Sequence, residues 1–90
     1  MRIDQKPTFR RAYKKLPEKQ RAEIDHAIRA LMENPALGEM KIADLAGIRV
    51  HKFKMNRQLT LLAYTFKEQT PTLLALGQHE NFYRNLKRLL

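Results

Sequence analysis

Apolar positions recur along this chain in two distinct periods. Phe9, Ala12, Tyr13 and Leu16 fall at i, i+3, i+4 and i+7, and Ile24, Ala27, Ile28, Leu31 and Met32 repeat that spacing. Each set makes one apolar stripe on an α-helix. Pro7 suits the first turn of the earlier helix, where its missing N–H has no partner to lose. Pro17 breaks the pattern and opens the second helix, and Asn34-Pro35 stops it. Two amphipathic helices joined by so few residues are expected to form an antiparallel hairpin. Residues 36–47 hold two glycines and little period, and read as a loop. Beyond them the pattern is that of strands. Segments 48–55, 59–66 and 72–78 are rich in branched and aromatic residues, with turns at Asn56-Arg57 and across 68–71. Segment 59–66 is apolar on both parities, so it is expected to be central and covered on both faces. From Glu80 onward, Phe82, Leu86, Leu89 and Leu90 return to roughly helical spacing. Residues 1–6 are too short and mixed to separate an edge strand from a frayed end. The order predicts one α+β domain over residues 1–90, an antiparallel sheet packed by helices.

The tight turns predict a register. A two-residue loop at Asn56-Arg57 sets Met55 opposite Gln58, Phe53 opposite Thr60 and His51 opposite Leu62. Pairing Lys67 with Thr72 at the next turn sets Leu62 opposite Gly77 and Thr60 opposite His79. One face then carries Arg49, His51, Phe53, Tyr64 and His79. The other carries Ile48, Val50, Leu59, Leu61, Leu74 and Leu76, an aliphatic set expected to receive the helical hairpin. A slip of one residue reverses these assignments, because side chains alternate between faces.

Charge changes the picture most. Eighteen Lys and Arg against nine acids give a net charge of +9. Eight of the eighteen lie within residues 2–21, four within 49–57 and three within 84–88. Such an excess favours a polyanion or an acidic protein as partner, with nucleic acid, or a machine built of it, foremost. The chain has no cysteine, which excludes a disulfide framework and a thiolate metal site. No apolar run approaches a membrane span, and residues 1–4 are not followed by the apolar core of a signal peptide. The expectation is a soluble intracellular protein with no membrane partner.

Candidate chemistry is narrow. His26, His51 and His79 have no short-range ligand spacing, so no metal site and no cofactor is expected, and no glycine-rich phosphate loop is present. The remaining side chains suit chemistry on RNA. Transesterification by a ribose 2′-OH needs a proton acceptor, a proton donor for the leaving oxygen, and cations for the developing charge. His79 and Tyr83, with Arg49, His51 and Arg84, supply these types; histidine exchanges protons near neutral pH and aromatic rings hold unstacked bases. Lys87 joins the RNA-contacting candidates. The competing structural reading has His79 capping the last helix and Tyr83 packing beneath it.

Five stretches, in order, carry a resemblance across nearly the whole chain. They are F-R-R-A-Y-K-K-L at 9–16, N-P-x-x-G at 34–38, D-L-A-G at 44–47, L-T-L-L-A-Y-T-F at 59–66 and L-G-Q-H-E-N-F-Y-R-N-L-K-R at 76–88. The chain resembles the toxins of the RelE/ParE superfamily, the basic halves of bacterial type II toxin–antitoxin pairs. The resemblance implies a helical hairpin on a twisted antiparallel sheet of three to four strands, with a short C-terminal helix. It implies a cytoplasmic toxin causing growth arrest, a role in plasmid stabilisation, and a cognate acidic antitoxin through which the pair would reach operator DNA. The superfamily divides between mRNA endonucleases that act on the ribosome without metal and inhibitors of DNA gyrase; a binding module active only with its antitoxin is a third reading. In histidine-using nuclease members, G-x-H at a strand end is followed four residues later by an aromatic, as in Gly77-Gln78-His79 and Tyr83. A basic residue on the strand after the L-x-G turn also contributes in such members, which points to Lys54 or Lys52. The expectation is catalysis by His79, Tyr83 and Lys54, with phosphate contacts from Lys54, Arg49 and Arg84. The multiple-arginine set of the best-studied ribosome-dependent nucleases is not evident. Register and resemblance conflict over Lys52 and Lys54, which the register above puts on the face opposite His79.

Overall fold

The structure, a computed structural model, describes residues 3–89, and of residues 79–81 the backbone alone. A short strand β1 (Asp4–Gln5) leads into helices α1 (Pro7–Lys14) and α2 (Glu18–Glu33). Strand β2 (Glu39–Met40) and a 3-10 turn (Ala43–Leu45) precede β3 (Arg49–Met55), β4 (Gln58–Lys67) and β5 (Thr70–Gln78), and α3 (His79–Arg88) follows at once. Both helix starts fall where proline predicts them: Pro7 is the first residue of α1, and Pro17 precedes α2. The stretch 36–47 is more structured than its lack of period suggests, since it holds β2 and the 3-10 turn.

The sheet has five strands in the order β1-β5-β4-β3-β2, rather than three to four. It is mixed, because β1 runs parallel to β5 while the other pairs are antiparallel. β4 is central, and Thr60 to Tyr64 are buried, as expected of a strand apolar on both parities.

The first hairpin keeps the predicted register, with Met55 opposite Gln58 and His51 opposite Leu62. Asn56 and Arg57 both have positive φ (53° and 65°), the left-handed pair that fits a two-residue loop to twisted strands. The second hairpin is a correction. Glu68 and Gln69 take the same conformation (φ 50° and 63°), so Lys67 pairs with Thr70, not Thr72. A bulge beside Tyr64 moves the register back by one of those two residues, which a β-bulge does by setting two residues against one. Leu62 therefore faces Leu76 and Thr60 faces Gln78, instead of Gly77 and His79.

The helices also cover the faces the other way round from the expectation. α1 and α2 lie on the face of Met55, Leu62, Tyr64 and Leu73, where Phe9, Ile24 and Leu31 complete one core. α1 crosses β5 and α2 lies against β3, so the two helices sit side by side on the sheet. The aliphatic face of Ile48, Val50, Leu61, Ala63 and Ala75 receives Phe82 and Leu86 of α3, with Leu45 from the 3-10 turn. Volume gives the reason. Ala63 and Ala75 leave a shallow strip that two large side chains four residues apart can fill, whereas the buried Tyr64 and Leu73 need the larger surface of two helices.

Candidate functional site

The loop after α2 is held by β3 and β4. Tyr64, wholly buried, donates its hydroxyl to the Pro35 carbonyl at 2.7 Å and accepts from the Gly38 amide at 2.9 Å. A Cβ on Gly38 would stand 2.8 Å from the Tyr64 ring and 3.1 Å from the Val50 backbone, which explains the glycine of the N-P-x-x-G stretch by close approach. Arg49 closes the clasp: its Nη1 donates to the Gly38 carbonyl at 2.8 Å and to that of Ala36 at 3.3 Å. The guanidinium expected to meet phosphate is thus engaged with backbone carbonyls of its own chain.

The clasp delivers the chain to α3. The Lys41 amide donates to the Ile48 carbonyl at 2.9 Å, which turns the Lys41 side chain toward Tyr83. Its Nζ lies 5.3 Å from the centre of the Tyr83 ring and 3.4 Å from Glu39 Oε1. Burial works against the charge on Lys41, but the hydrogen bond and charge of Tyr83 and those of the Glu39 carboxylate together outweigh it, so its pKa is raised. Lys41 is a full cation at any physiological pH. Tyr83 packs against the α3-side core and meets the Phe82 ring edge-on, with centroids 5.4 Å apart. Lower on α3, Lys87 Nζ stands 3.7 Å from Asp44 Oδ2. The 39–45 segment and α3 are therefore tied by a cation over a phenol ring and by an exposed ion pair.

Lys52 and Lys54 alternate with His51 and Phe53, so along β3 they share the parity of Val50. Both are exposed. Lys52 pairs with Leu61, and Leu61 with Gly77, which puts these lysines on the side where β5 turns into α3. The second hairpin's register is corrected, and with it the pairing that set Thr60 opposite His79; the facing of Lys52 and Lys54 relative to the His79 imidazole falls outside the described residues. Arg84 and Lys87 are exposed on α3, and the face is cationic.

His51 does not join this group. Its ring stacks on Phe53 at 5.3 Å on the α1/α2 face, so the sheet separates it from Tyr83. Desolvation lowers its pKa. It lines a groove of about 380 Å³ with His26, Ala27 and Lys54. His79 opens α3 by its backbone, and its imidazole lies outside the described residues. Sequence reasoning missed Lys41 because residues 36–47 have no period to assign a facing; its one signal was a lysine between two quoted motifs.

Comparison with known proteins agrees with the fold. Residues 3–87 match the family described as ParE-like toxin of type II bacterial toxin-antitoxin system. No curated protein sequence matches the chain. Among solved structures, the fold is similar to the RelBE2 toxin–antitoxin complex of Mycobacterium tuberculosis (TM-score 0.73, 22% identity, covering 87% of this chain and 96% of that one). It is likewise similar to the YoeB-YefM complex of Staphylococcus aureus (0.71, 20% identity, 88% and 97% covered). The isolated RelE toxin of E. coli covers 99% of this chain and 98% of its own, at 17% identity and a TM-score of 0.67.

Proposed function

The chain belongs to the family of ParE-like toxins of type II bacterial toxin–antitoxin systems, and on that premise we propose that it arrests growth by cleaving mRNA on the ribosome. The observation that carries this reading is the placement of exposed Lys52 and Lys54 on the sheet face against which Tyr83 is packed. Two lysines there stand ready to neutralise phosphate, and a phenol held in place beside them offers a ring face to a base. The neighbouring toxin–antitoxin complexes support a cognate antitoxin as partner, acidic to match a charge of +9. No helix among the described residues is long and apolar enough to cross a membrane.

In the proposed reaction a ribose O2′ attacks the adjacent phosphorus while its proton passes to a base. The P–O5′ bond breaks, and a proton reaches the departing oxygen. The products are a 2′,3′-cyclic phosphate and a 5′-hydroxyl. His79 acts as acid or base and Tyr83 positions a base or donates a proton, which suits groups spaced one helical turn apart. Lys54, with Lys52 and Arg84, contacts the scissile phosphate, where charge builds up in the transition state.

Primer extension on mRNA translated in vitro tests this. Codon-phased cuts should appear with the wild-type chain, vanish in His79→Ala and fall about 10²-fold or more in Lys54→Ala, the loss typical of removing one transition-state contact. Intact message with blocked supercoiling would instead establish gyrase inhibition, the reading that the family's ParE-like description favours. Neither activity, with an acidic protein co-purifying, would leave a binding module.

A further inference from the structure

Lys41 differs from the other lysines of this chain. Among the described residues every other lysine is exposed, whereas the Lys41 side chain is only 18% exposed. Drawing a charged group from water has a cost that an apolar side chain would not incur in the same place. Tying the 39–45 segment to α3 does not call for that charge, since the Lys87–Asp44 pair and the buried Leu45 already join the two. Glu39 lies 3.4 Å away and is 66% exposed, and ion pairs with an exposed partner contribute little. The charge finds its use at Tyr83.

The backbone is fixed on both sides of Lys41. Met40 pairs with Arg49, the Lys41 amide donates to the Ile48 carbonyl, and the 3-10 turn follows with Leu45 in the α3-side core. From there Nζ comes to 5.3 Å from the centre of the Tyr83 ring and within hydrogen-bonding reach of its hydroxyl. An ammonium has donors and no acceptor, so in this contact the phenol oxygen accepts. The phenolic proton is then directed away from Lys41 and can be given up elsewhere. A cation at that oxygen also stabilises the negative charge that develops there as the proton leaves. The ring is held as well, edge-on to Phe82 and packed against the same core. Lys52 and Lys54, assigned above to the phosphate, share the parity of Val50, a member of that core.

We propose that Lys41 is a positioning residue of the RNA-cleaving site, orienting the Tyr83 hydroxyl as the proton donor to the departing O5′. It rests on the RNA-cleaving reading given above and fixes which of its two parts Tyr83 plays. As the P–O5′ bond breaks, its electron pair goes to O5′ and the Tyr83 O–H passes its proton there. The phenolate left behind is paired with the Lys41 ammonium and regains a proton from water. His79 then keeps the part of base toward O2′. Lys41 itself touches neither phosphate nor leaving group.

The test compares two messages on programmed ribosomes, identical except that one carries sulfur in place of the bridging O5′ at the strongest wild-type cut. A thiolate departs without a proton, so the sulfur message needs no donor. Lys41→Met should cut the oxygen message about 10²-fold more slowly than wild type in single turnover, the loss typical of removing one stabilising donor. It should cut the sulfur message at close to the wild-type rate, and Tyr83→Phe should repeat both results. Lys41→Arg, which keeps a cation and its donors, should restore most of the oxygen rate. Lys54→Ala should slow both messages, because a phosphate contact is needed whichever atom leaves. Equal losses on both messages in Lys41→Met, or no rescue by Lys41→Arg, overturn the proposal, as does a wild-type rate in Lys41→Met. Such results leave the nuclease standing, since the wild-type chain still cuts. Failure of the wild-type chain to cut either message removes the nuclease reading and the Lys41 role together.

Discussion

Single residues show how closely this small protein is packed around its polar exceptions. Tyr64 has no exposed surface, yet its hydroxyl is satisfied twice, by Pro35 and Gly38. Gly38→Ala should cost about 1–3 kcal/mol in denaturant unfolding, the usual range for an overpacked site, because the new methyl stands 2.8 Å from the tyrosine ring. His51 makes a different forecast. Desolvation lowers its pKa, so on acidification the unfolded chain takes up this proton before the folded one does. Stability contributed by the neutral ring is present above the unfolded value, about 6.5, and is lost as pH falls through the lowered folded value. His51→Gln should flatten that part of the stability–pH curve relative to wild type, by thermal melting between neutral and mildly acid pH. Glu23, His26 and Lys54 line the same groove, so the comparison of the two curves isolates the His51 share.

Secondary-structure elements were legible to the extent that they repeat. α1, α2 and β4 follow from spacing alone, and proline marked both helix starts. The β4–β5 turn did not, for Glu68 and Gln69 are poor markers of the left-handed conformation they adopt. A left-handed residue other than glycine costs about 1–2 kcal/mol, and glycine returns roughly 0.5–1 kcal/mol of any gain through its extra freedom when unfolded. Gln69→Gly should therefore stabilise the fold by about 0.5–1 kcal/mol, measured as a shift in denaturant midpoint at unchanged slope. β2 escaped notice for a related reason: two residues carry no period, and only their pairing with Arg49 and Val50 makes them a strand.

At the scale of the whole molecule, the charge is apportioned. The α1/α2 face buries aromatic and branched residues, and the α3 face combines a narrow apolar strip with Lys41, Lys52 and Lys54. Binding of single-stranded RNA should weaken linearly with the logarithm of salt concentration. Removing Lys52 or Lys54 should reduce that slope by about 0.7 each, one released counterion per lost phosphate contact. Arg49→Ala should leave the slope nearer the wild-type value and lower stability instead, because its guanidinium serves the 36–38 carbonyls. Fluorescence anisotropy across a potassium chloride series, paired with melting curves, separates the two outcomes.

The amino-acid sequence by itself determined the α+β class, the central strand, the first hairpin and the toxin family, because each is written in local period, turn chemistry or motif. It also determined that a basic surface would be present, and the lysines pointed to by resemblance lie on it. Tertiary structure alone decided which face each helix covers and where β5 registers on β4. It likewise decided that His51 and Tyr83 lie on opposite sides of the sheet and that Lys41 reaches the phenol. Alternation along a strand says which residues share a face and is silent on what covers that face. A bulge or a shortened turn then moves every later pairing by a residue or two, and only long-range packing selects among the results.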